Sequence, residues 1–353
     1  MSGALIQLVS KGAQDVYITN QEGGTSLFRT KYTRQKNFSQ APKLIKKNLS
    51  SSDNTIIIPT YGDLIDGVWL EGDDLYTKFN GARFDLYIGG VKVDSHTFDY
   101  TTEIWQNYLA DTYTKSQEVN NIASPSDVNF LPLHFFFCDH EMFLPLIALQ
   151  YHTVEIKVVF ANHTAADVRV CGSYVFLDTD EREYFVKNKM DFLITQVQRN
   201  AYTDPKIDLS QFNHPVKSLF FGYQANSTTI ADDKFSFDTA DIVLNGSPLV
   251  ESMTPIYYHK VQNYKNSKYG VINYNYTQKA TVNTRYYAYH FCRNASEQKP
   301  NGTCNFSRLD TAQLLINNPS RGNNRTNDDI IVYAVNYNVL RIQDGLGGIL
   351  FGN

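Results

Sequence analysis

The chain alternates apolar and polar positions with period two over most of its length, the spacing of strands with one buried face. The longest example is IIVYAVNYNVLRI. There Ile331, Tyr333, Val335, Tyr337 and Val339 share one face, while Val332, Ala334, Asn336 and Asn338 share the other. The first set predicts a core face and the second a mixed one. Shorter runs of the same kind are FDLYI, GVKVD, LHFFF, TVEIKVVF, VRVCGSYVFL, DFLITQVQ, KSLFFGY, DIVLN and YYAYHF, separated by polar turns. Helical patterning is sparse. LDTDEREYFVKNK predicts one short helix capped by Asp178 or Thr179, which explains Asp178, Asp180 and Glu181 as a helix start rather than a catalytic cluster. Many short strands divided by turns predict an all-β sandwich or barrel.

The strands recur. DLYIGGVKV, Asp85 to Val93, matches DIVLNGSPL, Asp241 to Leu249, 156 residues on, each entering a two-residue Gly-Gly or Asn-Gly hairpin turn. At the same shift Gln106, Asn107 and Tyr108 return as Gln262, Asn263 and Tyr264. HFFFC, ending at Cys138, matches YHFC, ending at Cys292, and DVRVCGSYVFL matches DIIVYAVNYNVL. Matches in one order along 353 residues predict two domains of one β architecture, the terminal strand being the second copy of Val168 to Leu177. The expected division is an N-terminal arm 1–24, a first roll 25–203, a linker 204–213 in AYTDPKIDLSQFN, and a second roll 214–353. The apolar Ala4 to Val9 and Val16 to Ile18 read equally as a docking arm or as an edge strand. The final GLGG lacks the spacing and the following helix of a phosphate loop, and reads as a flexible or surface-docked tail.

Composition agrees with strands: aromatics make up 14% of the chain, with 24 Tyr and 22 Phe. A net charge of −4 without blocks of like charge gives no electrostatic footprint for DNA or RNA, and Lys43, Lys46 and Lys47 read as a solvated loop. No apolar run reaches the roughly 18 residues of a membrane helix. The start lacks a basic region followed by a continuous apolar stretch, so no secretory signal is expected. Cys138, Cys171, Cys292 and Cys304 form no C-x-x-C pair and are expected to be reduced. Cys138, Asp139, His140 and Glu141 stand together in print, but neighbouring strand residues point to opposite faces and cannot converge on one ion. No metal or cofactor site is expected.

Several long segments resemble one family: GALIQLVSKGAQDVYIT, FLPLIALQYHTVEIK, the LDTDERE helix, FNHPVKSLFF, KPNGTCNFSRLDTAQL and YAVNYNVLRIQDGLGG. They are similar to the double jelly-roll major capsid proteins of large nucleocytoplasmic DNA viruses, of algal-virus and iridovirus type. The resemblance implies two consecutive eight-stranded jelly rolls with a few short helices. It also implies a homotrimeric capsomer of pseudo-hexagonal outline in the icosahedral shell of a double-stranded DNA virus. Its implied partners are neighbouring capsomers, minor capsid and penton proteins, with an inner membrane beneath. Its implied place is the virion, after assembly in the host cytoplasm.

Two other classes compete with this reading. A glycoside hydrolase needs two carboxyl groups across a cleft, yet the acidic residues here fall mainly at turns such as Asp73, Asp74, Asp232 and Asp233, and neither H-E-x-x-H nor G-x-S-x-G occurs. A carbohydrate-binding attachment module is the alternative that YYHKVQNYKNSKYGVINYNY raises, since tyrosines stack on sugars as well as paving interfaces. Sequons include those beginning at Asn37, Asn48, Asn162, Asn226, Asn275, Asn294, Asn301, Asn305 and Asn324. Of these, Asn226, Asn275, Asn294 and Asn301 are the candidate glycan carriers on loops.

Overall fold

The structure is a computed structural model, and it describes residues 3–19, 28, 32, 34–112, 114–116, 128–138, 142–161, 165–223, 234–266, 285–321 and 329–352. The chain forms two compact units, Met1–Asn37 and Phe38–Asn353.

Among the described residues of the larger unit there are twenty-one strands, four of them two-residue pieces, and the other seventeen carry the architecture. The first eight are β1 (Phe38–Ser50), β2 (Thr55–Ile58), β3 (Leu64–Asp73), β4 (Arg83–Ile88), β5 (Val91–Thr97), β6 (Val128–Pro132), β7 (Val154–Val159) and β8 (Ala165–Leu177). The rest are β9 (Met190–Tyr202), β10 (Lys206–Asp208), β11 (Pro215–Tyr223), β12 (Thr239–Leu244), β13 (Ser247–Met253), β14 (Tyr286–His290), β15 (Ala312–Asn317), β16 (Ile330–Gln343) and β17 (Leu346–Ile349). The sheets run β1-β8-β3-β6 and β2-β7-β4-β5, then β9-β16-β11-β14 and β10-β15-β12-β13, with β17 added beside β16. Adding eight to each strand of the first pair of sheets generates the second pair. Each pair is an eight-stranded jelly roll, and the two share one topology.

Alternation sets the inward faces. Val154, Ile156 and Val158 of β7 are buried while Glu155 and Lys157 are not, and in β15 Ala312, Leu314 and Ile316 repeat the pattern. The matching β4–β5 and β12–β13 hairpins turn through Gly89-Gly90 and Asn245-Gly246, all at positive φ, as two-residue turns of this hand require. The bulges match as well. Pairing slips between Ile65 and Gly67 in β3 and between Val216 and Ser218 in β11, each just before the stretch where the strand faces its long neighbour, β8 or β16. The predicted helix is Thr179–Lys187, with the Asp178 carboxylate accepting from the Glu181 N–H at 3.1 Å.

Three expectations are corrected. Met190–Tyr202, placed in the first roll by the boundary at 203, pairs along all 13 of its residues with β16 and is the first strand of the second roll. The 204–213 stretch is not a plain linker, because Lys206–Asp208 pairs with β15; the Thr179–Lys187 helix is the connection between the rolls. LHFFF is not a strand: Phe136–Cys138 is a 3-10 turn after β6, and Cys292 lies just beyond β14, so neither cysteine occupies a strand. Of the two readings of the terminal GLGG the docked one holds, since Leu346–Ile349 returns along β16 through an Asp344-Gly345 turn.

The smaller unit holds a helix, Gly3–Val9, with no buried residue, and a 3-10 turn at Ala13–Tyr17 where Asp15 accepts from the Gly12 N–H. The edge-strand alternative for Ala4 to Val9 is thereby excluded.

Candidate assembly interface

The last strand of the second roll explains what the sequence pattern left ambiguous. In β16 residues 330–338 are all buried, although alternation assigns only one face to the core. Ile330, Val332 and Ala334 enter the interior of the second roll, among Ile207, Leu219 and Phe221. Ile331, Tyr333 and Val335 enter a different cluster, shared with the first roll. The set read as the core face is therefore the outer face of the sheet, and it is buried because the first roll covers it.

That cover comes from β5 and the wide helical segment Tyr100–Leu109 that follows it. The Asp94 carboxylate accepts from the Val197 N–H at 2.9 Å and pairs with His96 at 2.8 Å, both side chains being almost fully buried. Thr97 and Tyr333 meet through their hydroxyls at 2.7 Å. Arg285, at the start of β14, is fully buried and pairs with Glu103 of the helical segment. Tyr108 reaches furthest. Its ring centroid lies 5.6 Å from that of Phe220 in β11; its phenol donates to the Tyr286 carbonyl at 2.6 Å and sits 2.8 Å from His259 Nδ1. The corresponding helix of the second roll packs alongside, where Asn263 donates to the Asn107 carbonyl at 3.2 Å. Burial excludes water from these hydrogen bonds, and the two rolls meet through a continuous apolar core.

Desolvation sets the titration of the histidines nearby. Burial holds His259 down at about 4 and His290 at about 3, with Lys260 and Lys217 adding repulsion. His134, stacked 3.7 Å from Trp105, is likewise held well below the ordinary imidazole value by burial, then by His96 and Lys115. These rings are neutral packing groups near neutral pH.

Among the described residues, the equivalent surface on the outer face of the first roll is open. Trp69 of β3, Phe130 and Pro132 of β6, and Trp105 and His134 line a cavity of about 370 Å³. Exposed apolar groups also occur on the second roll, at Leu249, Met253, Ile256 and Tyr264. Alternation alone did not single out these positions; comparing each residue with its repeat partner does.

Among the described residues no group of three or more His, Cys, Asp or Glu is placed to hold a metal ion, and no helix is long and apolar enough to cross a membrane. Residues 139–141, which follow Cys138 in the printed cluster, lie outside the described residues, as do Asn226 and Asn275. Asn294 and Asn301 share one loop. The Asn301 oxygen accepts from the N–H groups of Arg293 and Asn294, and its amide donates to the Asn294 carbonyl at 3.0 Å. The Asn294 oxygen accepts from the Ser296 N–H.

Two jelly rolls of one topology, locked side by side through the outer face of a sheet, define a double jelly-roll protein of the kind that builds viral shells. The comparisons agree. A family profile described as large eukaryotic DNA virus major capsid protein matches residues 181–348, and one described as major capsid protein N-terminus matches 82–178. The major capsid protein of Pyramimonas orientalis virus is 32% identical across the whole of both chains, and that of Paramecium bursaria Chlorella virus 1 is 29% identical, again across both. Among solved structures, PBCV-1 VP54 superposes with a TM-score of 0.76 over 93% of this chain and 100% of that one, at 24% identity. The Faustovirus major capsid protein shares the fold, with a TM-score of 0.63 over 94% of each chain at 10% identity. This chain belongs to the family of major capsid proteins of large eukaryotic DNA viruses. It is a structural protein of the virion shell.

Proposed function

We propose that the working unit is a homotrimer, a capsomer of pseudo-hexagonal outline, and that the chain acts by shape rather than by catalysis. The observation that carries this reading is the pair of rolls with identical strand order locked in one chain. Three such chains present six similar blocks, so one gene product fills a hexagonal lattice site. The working division is an arm over 1–37, rolls at 38–177 and 190–349, and the Thr179–Lys187 helix between them. Neighbouring capsomers meet laterally; minor capsid and penton proteins and an inner membrane lie beneath or between them, and assembly takes place in the host cytoplasm.

Glycans, where virion protein carries them, sit at Asn226, Asn275, Asn294 or Asn301. Asn301 should be the least occupied, because its amide already holds the loop from both ends. Mass photometry of purified protein tests the trimer. A species near three times 40.3 kDa that goes on to form hexagonal arrays is expected. A stable folded monomer at micromolar concentration without arrays contradicts it.

A further inference from the structure

The contact between the two rolls has an unfilled counterpart elsewhere on the chain. In β11 Phe220 pairs with Tyr333 of β16 on one side and Ala288 of β14 on the other. In β3 Trp69 pairs with Cys171 of β8 and with Pro132 of β6. Cys171 and Tyr333 correspond in the repeat DVRVC and DIIVY, and the preceding bulges fall two residues before Trp69 and before Phe220 alike. Trp69 therefore occupies the place of Phe220, Pro132 that of Ala288, and Phe130, two residues earlier, that of Tyr286.

Phe220 and Tyr286 are the residues on which Tyr108 docks. Trp69, Phe130 and Pro132 instead line the open cavity of about 370 Å³. The knob shows the reverse asymmetry. Tyr108 and Tyr264 are partners in the repeated Gln-Asn-Tyr, yet Tyr108 is 2% exposed and Tyr264 is 90% exposed. Val93 and Leu249 are partners in the repeated hairpins, and their exposures are 4% and 47%. Among the described residues the first roll thus presents a filled knob and an unfilled slot, and the second a filled slot and an exposed knob.

We propose that Tyr264 of a neighbouring copy enters the slot lined by Trp69, Phe130 and Pro132, with Leu249 beside it, repeating between copies the contact that joins the rolls within one. This rests on the oligomer reading above and names the surfaces that make it. Knob and slot are different surfaces, so the contact is heterologous, and closure after three copies leaves no knob or slot open. The chemistry fits: Trp69, Trp105, Phe130 and His134 give the slot an aromatic wall, with Thr114 and Lys115 at its side. A tyrosine brings a ring that packs on this wall and a phenol that can reach the polar side chains beside it.

Replacing Tyr264 with the photo-crosslinker p-benzoyl-phenylalanine tests this with little risk to folding, because the side chain is exposed. Irradiation followed by peptide mapping should give dimer and trimer bands whose crosslinks fall on peptides containing Trp69 or Phe130 to Leu133 of another copy. A trimer by mass photometry whose crosslinks fall elsewhere overturns this contact and leaves the trimer standing. A folded monomer without intermolecular crosslinks overturns both.

Discussion

The hydroxyls of Thr97 and Tyr333 meet at 2.7 Å, although the residues are 236 positions apart and belong to different rolls. The bond joins the last residue of β5 to the middle of β16, so it reports on the inter-roll contact rather than on either core. Tyr333→Phe keeps the ring and removes the bond. It should lower unfolding stability by about 1 kcal/mol, the ordinary net worth of one hydrogen bond. Urea denaturation decides this; an unchanged midpoint would show that the rolls do not depend on the bond.

The Glu103–Arg285 pair is the buried charge contact across the same surface. Removing one member strands the other's charge, which costs about 3–5 kcal/mol, whereas removing both costs far less. Arg285→Met should therefore destabilise strongly, and Glu103→Gln added to it should restore much of the loss. Additive penalties in this double-mutant cycle would refute the coupling.

Acid should weaken the fold earlier than carboxylates alone would dictate. His259 and His290 titrate in the folded chain at about 4 and about 3, and His134 also lies well below 6.5, chiefly because burial disfavours the charged ring. Unfolded imidazoles take up protons near pH 6.5, so below that pH the unfolded state binds more protons than the native one, and stability falls as pH falls. The contribution is complete above about pH 6.5 and declines towards pH 4 for His259 and pH 3 for His290, by up to about 1.4 kcal/mol per pH unit for each. Asp85 works in a lower window. Burial would raise its pKa, but Ser95, Lys92 and Arg83 together hold it below 3.8, so its share disappears only in stronger acid. Urea midpoints at pH 7 and pH 4.5 should differ by more than one proton's worth, and His259→Gln should reduce the slope. Equal midpoints would contradict the burial of neutral imidazoles.

No disulfide joins Cys138, Cys171, Cys292 and Cys304, and burial pushes the thiols of Cys171, Cys292 and Cys304 above their ordinary value. Alkylation of Cys171, Cys292 and Cys304 in native protein should be slow, while denaturation without reductant should expose four reactive thiols per chain. Two or fewer after denaturation would mean that a disulfide forms.

Strands, hairpins and the repeat were legible because each is local: period-two burial, a Gly-Gly or Asn-Gly turn and a capping Asp are set by neighbouring residues. What failed was non-local. Met190–Tyr202 carries the same alternation whichever roll it joins, and only its pairing with β16 assigns it. HFFFC has the composition of a strand, but Phe136 and Phe137 are buried on a 3-10 turn. The interface was invisible for a sharper reason. Tyr108 and Tyr264 sit in the same three-residue motif, and which of them is covered depends on what lies across the roll, information that no local pattern contains.

The most direct test of the account is a cryo-EM reconstruction of the purified assembly. A closed ring of three chains is predicted, with first and second rolls alternating around six positions and Tyr264 of each chain against Trp69 of the next. A ring or dimer in which like rolls face each other, or a lone folded chain, would contradict it.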